Sequence, residues 1–402
     1  MLVPKLRFKR EDGSEYPEWN SKSFSETFSP LNNNTFSRDM LSEIGSVCNI
    51  HYGDILVKYG EVCDIQKESI PKVNDDIGTG KYDLLQDGDV ILADTAEDET
   101  VGKATEILNV GTVKVVSGLH TMACRPNEKY APKYLGYYIN SPTYHKQLIP
   151  FMQGIKVTSI GRKNISETVI HFPSDTEEQQ KIADFLSAVD EVIAQSEAEV
   201  QNLEQQKKAA MQKIFSQEVR FKREDGTDYP EWEETTIGEY CDILDNLRKP
   251  ITKKDRKAGI YPYYGSTNIQ DYVSGYIFDE PLVLLGEDAA PFMDFRNKPI
   301  AQLAIGKYWV NNHAHCLRPH GNVIFFYYSV VHKDIRDYIN NPERAKLNQE
   351  DMVKIPILLP YDEEQQKIAD FLSAYDEAIS YAKQELDKWK ELKKGLLQQM
   401  FV

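Results

Sequence analysis

Twelve residues, Glu177-Glu178-Gln179-Gln180-Lys181-Ile182-Ala183-Asp184-Phe185-Leu186-Ser187-Ala188, recur unchanged as Glu363–Ala374, at an offset of 186. Each copy opens a long apolar pattern. In the first it runs Ile182, Leu186, Val189, Ile193, Ser196, Val200, Leu203, Ala210, Ile214. In the second it runs Ile368, Leu372, Tyr375, Ile379, Ala382, Leu386, Trp389, Leu396, Met400. The steps alternate four and three, and one skipped position in each copy is filled by Lys207 or Lys393. That is the seam of a coiled coil sustained over about five heptads. The spacing predicts two matched long helices, 176–217 and 362–402, with Thr176 and Asp362 as N-caps.

A second repeat stands at the front of each half. Arg7–Gly13 and Tyr16-Pro17-Glu18-Trp19 return as Arg220–Gly226 and Tyr229-Pro230-Glu231-Trp232, now at an offset of 213. The interiors between front and helix therefore differ in length by 27 residues. Inside them a weaker match, at an offset of 193, sets Val90–Asp94 on Val283–Glu287, His120 on His313 and Arg125-Pro126 on Arg318-Pro319. Short β-branched runs (Val90–Leu92, Thr112–Val116, Pro281–Leu285) between Gly, Asp and Pro turns predict a mainly antiparallel sheet in each interior. Short helices are expected near Lys133–Asn140 and Val323–Asn340.

The plan that results is α+β: two strand-rich domains, 1–175 and 218–361, separated by two long antiparallel coiled-coil helices. The first helix runs directly into the Arg220 repeat. The second, continued, would meet the N-terminal Leu6-Arg7 element, so the order domain, helix, domain, helix is a circular pseudo-two-fold.

Composition narrows the class. At 402 residues, 41% hydrophobic and 27% charged, the chain has the balance of a globular protein. No apolar run reaches the roughly 20 residues that span a bilayer, and Met1–Lys5 lacks a signal-peptide core. Five scattered cysteines without a C-x-x-C pair point to a reducing, cytoplasmic setting. The net charge of −16 is spread thinly, which leaves room for a local basic face.

Catalytic signatures are missing. There is no phosphate-binding Gly-x-x-x-x-Gly-Lys-Ser/Thr loop, no Gly-x-Gly-x-x-Gly, no Gly-x-Ser-x-Gly and no Asp/Asn-Pro-Pro-Tyr/Phe box. Asp94, Glu97, Glu99 and Lys103 form a grouping that chance supplies in a chain with 63 acids. His313-Ala314-His315-Cys316 invites a metal, with both histidines on one strand face. A closed zinc site needs four ligands, however, so the expectation is a hydrogen-bonding histidine and no metal.

The loops carry more information. Arg248-Lys249-Pro250-Ile251-Thr252-Lys253-Lys254-Asp255-Arg256-Lys257 holds six bases against one acid. Tyr263, Tyr264 and Asn268 follow closely. Bases for phosphates, with amides and aromatics for base edges, are the inventory of a DNA-reading surface. The first half answers with Asn32, Asn33, Asn34 and Arg38, and with a second loop containing Lys156, Thr158, Ser159, Arg162 and Lys163. Arg344 and Lys346 take the place of that loop in the second half, and Asn312 and His313 complete the candidate DNA-binding set.

Taken together, the paired Glu-Glu-Gln-Gln-Lys-Ile-Ala-Asp-Phe-Leu helix starts and the paired Arg-Phe-Lys…Tyr-Pro-Glu-Trp brackets resemble the specificity subunit of Type I restriction-modification enzymes. Tyr261–Gly265 and Asn311–His315 also look like segments of that family's target-recognition domains. The resemblance implies one target-recognition domain per half of a bipartite, asymmetric site in double-stranded DNA, with the helices setting the gap. It implies no catalysis and no cofactor on this chain. Its partners would be two methyltransferase subunits using S-adenosylmethionine and two restriction subunits using ATP and Mg²⁺. The residues alone leave a second reading open, an autonomous DNA-binding regulator that dimerises through its coiled coil.

Overall fold

The computed structural model describes residues 3–154, 157–340 and 345–402. The chain divides into two compact units: the residues up to Glu197 together with Gln384–Val402, and Ala198–Lys383. Each unit holds one strand-rich domain and a portion of each long helix.

In the first unit a five-stranded sheet runs Phe28–Pro30, Thr121–Pro126, Val90–Ala93, Ala104–Leu108, Val62–Asp64. A four-stranded sheet runs Lys114–Ser117, Val47–Ile50, Lys72–Val73, Leu41–Ser42. The second unit repeats the main sheet with four strands: Cys241–Ile243, Ala314–Pro319, Leu282–Gly286, Ala301–Ala304. The registers coincide. Val90 faces Cys124 as Val283 faces Leu317, and Ala93 faces Thr121 as Gly286 faces Ala314. The backbone N–H of Asp94 donates to the His120 carbonyl at 3.1 Å, and that of Glu287 to His313 at 2.9 Å. The offset of 193 is therefore a structural equivalence. Pairing is mainly antiparallel, with parallel pairs at Lys114–Ser117 and Val62–Asp64 in the first unit and at Lys307–Val310 in the second.

The long helices form at Thr176–Phe215 and Asp362–Met400. The first is capped one residue earlier than expected: the Asp175 carboxylate, not the Thr176 hydroxyl, accepts the Glu177 N–H at 3.0 Å. In the first unit Ile182, Leu186 and Val189 share a core with Leu396, Met400 and Phe401. In the second, Ile368 and Leu372 share one with Met211 and Ile214. Within each unit the start of one long helix thus packs against the end of the other. The skipped seam positions are ion-paired: Lys393 lies 2.7 Å from Asp190, and Lys207 bonds Asp376.

The repeated sequence words fit each other. Glu178, fully buried in the first turn of its helix, accepts Arg7 Nε at 2.7 Å and Nη2 at 2.9 Å, and Trp19 Nε1 at 3.4 Å. Glu364, equally buried, accepts Arg220 Nε at 3.2 Å and Nη2 at 2.8 Å, and Trp232 Nε1 at 3.2 Å. A carboxylate near a helix N-terminus is favoured by the helix dipole, and the bidentate guanidinium offsets its desolvation. The circular plan has its own bond. Leu6 N–H donates to the Gln399 carbonyl at 3.0 Å, matching Val219 N–H to the Lys213 carbonyl at 3.1 Å.

The expected short helices are Tyr134–Ile139 and Val323–Val330. The second stops well before Asn340, because the Val331 carbonyl pairs with Ile300 N–H and the His332 ring with the Phe295 carbonyl. The Tyr134–Ile139 helix is entered through Lys133 at φ +73° and receives no local cap. Glu106, from the neighbouring strand, accepts Lys133 N–H at 2.6 Å and Gly136 N–H at 2.9 Å. Burial pushes its carboxyl from 4.5 up to about 7, against those backbone donors. Between those values the folded chain holds a proton that the unfolded chain has released, so stability falls as pH rises through this window. The span corresponds to about 3 kcal/mol. Thermal melts across it are expected to slope downward in the native chain and to lack this component in Glu106→Gln. Identical slopes would exclude the assignment.

Candidate nucleic-acid interface

In the second unit the loop after Cys241–Ile243 is rooted by a buried polar network. Asp245 Oδ2 lies 2.6 Å from His315 Nδ1, whose Nε2 lies 2.9 Å from the Leu347 carbonyl. Arg248 Nη1 reaches Glu287 at 2.6 Å and the Ala314 carbonyl at 2.9 Å. Lys346 closes on Glu287 from the opposite loop at 3.2 Å. Burial raises the Glu287 carboxyl, but Arg248, His315 and Lys346 outweigh it and hold the group below its usual range. Arg248, with 15% of its side chain exposed, is an anchor for the loop and is withdrawn from the surface.

Asp245, Glu287 and His315 are also the one group within metal-ligating reach among the described residues. Both His315 nitrogens already face acceptors, and the Arg248 guanidinium sits against both carboxylates. A cation there would meet that guanidinium. The expected shared face of His313 and His315 does not form, because the strand begins at Ala314. His315 is buried, whereas His313 lies half-exposed in the preceding turn with Nδ1 2.7 Å from Asp288.

The basic run therefore sorts into two kinds. Arg256, 15% exposed, lies 4.3 Å over the Tyr263 ring and reaches Asp271 at 3.4 Å. Tyr263 is itself buried, its hydroxyl accepting Ile251 N–H at 2.9 Å. Tyr264 is half-buried, edge-on to Tyr308. These three set the loop's shape. Lys249, Lys253, Lys254 and Lys257 are exposed and have no ion-pair partner among the described residues, and Asn268 and Asn312 are exposed as well. The sequence reading missed the hairpin Ala258–Tyr264 with Ile269–Val273, which bares Ile260, Ile269 and Tyr272.

The first unit brings its two predicted loops together directly. Arg162 Nη2 donates to Asn33 Oδ1 at 2.7 Å, and Asn33 in turn bonds the Gly118 carbonyl at 3.2 Å. Asn32, Ser159 and Lys163 are exposed, and Thr158 is half-buried. Asn34 is a correction to the surface set: it is fully buried, donating to Asn49 at 2.6 Å and accepting Phe36 N–H at 3.1 Å. Arg38 is held two-pronged by Asp54 at 2.8 Å, with half its side chain in solvent. An unforeseen aromatic cluster stands on the same unit, with Tyr52 tilted against His51 and edge-on to His120. Lys156 and Arg344 lie outside the described residues.

This geometry agrees with known proteins. A family model described as the Type I restriction modification DNA specificity domain matches residues 42–205 and again 229–390. The putative type I restriction enzyme specificity subunit S.HindORF215P of Haemophilus influenzae is 36% identical over 146 residues, 36% of this chain and 37% of that one. The putative type I restriction enzyme MjaX specificity subunit of Methanocaldococcus jannaschii is 24% identical over 415 residues, 97% of this chain and 94% of its own. In fold, the S subunit of a Type I restriction-modification system from M. genitalium aligns with 100% of this chain and 99% of its own, with a TM-score of 0.60 at 15% identity. A chain from a structural account of type I R-M complex assembly and conformational transition aligns with 96% of this chain and 98% of its own, at a TM-score of 0.60 and 16% identity. One domain description matched twice, over most of the sequence, settles the kinship: this chain belongs to the Type I restriction-modification DNA specificity family, as a specificity subunit.

Proposed function

We propose that this chain is the non-catalytic reader of a Type I restriction-modification complex. Its two strand-rich domains each recognise one half of a bipartite, asymmetric site in double-stranded DNA, and its long helices set the unread gap. The chain scaffolds two methyltransferase and two restriction subunits, to which S-adenosylmethionine, ATP and Mg²⁺ belong. The observation that carries this reading is the shared strand register under unlike loops, one scaffold used twice with two different surfaces.

The contacts to DNA fall to the exposed and half-exposed members of the candidate set. Lys249, Lys253, Lys254, Lys257 and Lys346 neutralise phosphates on one half-site, with Asn268, Asn312 and His313 near base edges. Arg162, Lys163, Asn32, Asn33 and Ser159 serve the other. The methyltransferase subunits engage the repeated words where these remain in solvent. Phe185 stacks edge-on with Phe8, and Phe371 with Phe221, each helix phenylalanine 39% exposed.

Charge on the helices favours pairing within the chain over a coiled-coil dimer. Glu197 meets Lys390 at 2.7 Å, and Glu204 meets Lys383 at 2.6 Å. A first helix paired antiparallel with its own copy would set Glu197 on Glu204, a like-charge contact. With the methyltransferase partner bound, Lys253, Lys254 and Lys257 changed together to Ala should weaken duplex binding regardless of sequence. The slope of log affinity against log salt should shrink by about 3. An unchanged slope in a titration across salt would remove these lysines from the interface.

A further inference from the structure

The seam places one triad in each unit, and the two are completed differently. In the first unit Tyr137 Oη donates to Asp190 at 2.6 Å, and Lys393 lies 2.7 Å from Asp190. A second carboxylate, Glu61, meets the same ammonium at 2.7 Å. Glu61 is delivered by the chain leading into the edge strand Val62–Asp64, where its carbonyl accepts Glu106 N–H at 2.9 Å. In the second unit Tyr328 and Lys207 bond Asp376 in the same way, but the main sheet ends at Ala301–Ala304 and has no counterpart of Val62–Asp64 among the described residues.

A cavity of about 850 Å³ opens on this second triad, lined by Lys207, Tyr328, Lys208, Arg296, Lys333 and Phe295 among others. Its two carboxylates are already taken, Asp376 by Lys207 and Glu204 by Lys383. Lys208 Nζ donates to the Asn297 amide oxygen at 3.1 Å. Arg296 and Lys333 have no carboxylate within ion-pair distance among the described residues. Burial pushes the Lys333 ammonium below its usual range, and no neighbouring anion opposes the shift. Lys208 and Arg296 are exposed and feel Asp294 and Asp334 beyond ion-pair distance, whereas Lys333 is half-buried. A half-buried cation such as Lys333, beside a Lys207 that lacks the second carboxylate Lys393 has, is stabilised by an opposite charge.

We propose that this cavity binds a carboxylate-bearing segment of a protein partner, its acidic side chain meeting Lys207 as Glu61 meets Lys393. A peptide is favoured over a phosphate because the occupant in the first unit is a peptide that also pairs as a strand. In the second unit Pro299, on the cavity wall, leads into the edge Ala301–Ala304, which has no outer strand partner among the described residues and where an extended segment can add in the same way. The proposal is independent of how the loops read DNA.

The test uses the purified full chain with four probes: a short glutamate-rich peptide, its glutamine counterpart, a short DNA duplex and inorganic phosphate. The acidic peptide should bind and its glutamine counterpart should not. Arg296→Gln combined with Lys333→Gln should weaken binding by about tenfold, the loss of charge-assisted contacts. Lys208→Gln should give a smaller loss, with thermal melts showing all variants folded. Equal binding of both peptides, or peptide binding insensitive to the variants, would overturn the proposal. So would duplex or phosphate binding that depends on the same residues while the peptide fails to compete, since the site would then belong to a nucleic-acid backbone or a free anion.

Discussion

Arg220→Ala is expected to destabilise the second unit by about 3 kcal/mol, near the lower end of the range for breaking a buried ion pair. The substitution leaves Glu364 with no exposure to solvent and with Trp232 Nε1 as its remaining side-chain donor. The size of the loss comes from the stranded carboxylate more than from the lost attraction. Arg7→Ala should act alike on Glu178 in the first unit. Arg223, three residues along the same repeated word, is exposed and only overlies the Tyr229 and Tyr361 rings at 5.3 and 5.8 Å. Arg223→Ala should therefore cost under about 1 kcal/mol. Urea denaturation of the three variants separates the cases. Equal losses for Arg220 and Arg223 would mean that the clamp is not what the repeat preserves.

Lengthening the helices is expected to change the DNA site without changing what is read. One helical turn adds roughly 5.4 Å, or one to two base pairs at about 3.4 Å each. A four-residue insertion in a single helix would also slip the seam. A cleaner variant adds one heptad to each helix, between Glu197 and Glu204 and between Lys383 and Lys390. Both ion pairs then survive, and the gap should grow by about three base pairs. Half-sites that change while the gap stays fixed would contradict the role given to the helices.

The helices, the brackets and the shared strand register were legible because each is written twice. Repetition told which residues belong together even where the contact itself, Arg7 to Glu178, spans 171 positions. The loops were legible only as composition. Nothing local distinguishes Arg248 from Lys249. What separates them is Glu287, 39 residues away, which draws one side chain inward and leaves the other in solvent. Asn34 and Tyr263 misled for the same reason: their partners, Asn49 and the Ile251 backbone, become neighbours only through the fold. The short helix at Val323 was overextended because its end is fixed by Ile300, just ahead of the strand Ala301–Ala304, and not by a local stop signal. The open triad beside Lys207 was invisible in sequence, since it turns on a strand, Val62–Asp64, that has no counterpart among the described residues of the second interior.

The most direct test of the account is a genome-wide map of methylated adenines in cells expressing this chain with its methyltransferase partner. A single motif made of two dissimilar half-sites around a fixed unread gap is expected. Exchanging the loop residues of one domain should alter one half-site and leave the other and the gap intact. A contiguous or palindromic motif, or one in which changing either domain alters both halves, would contradict it.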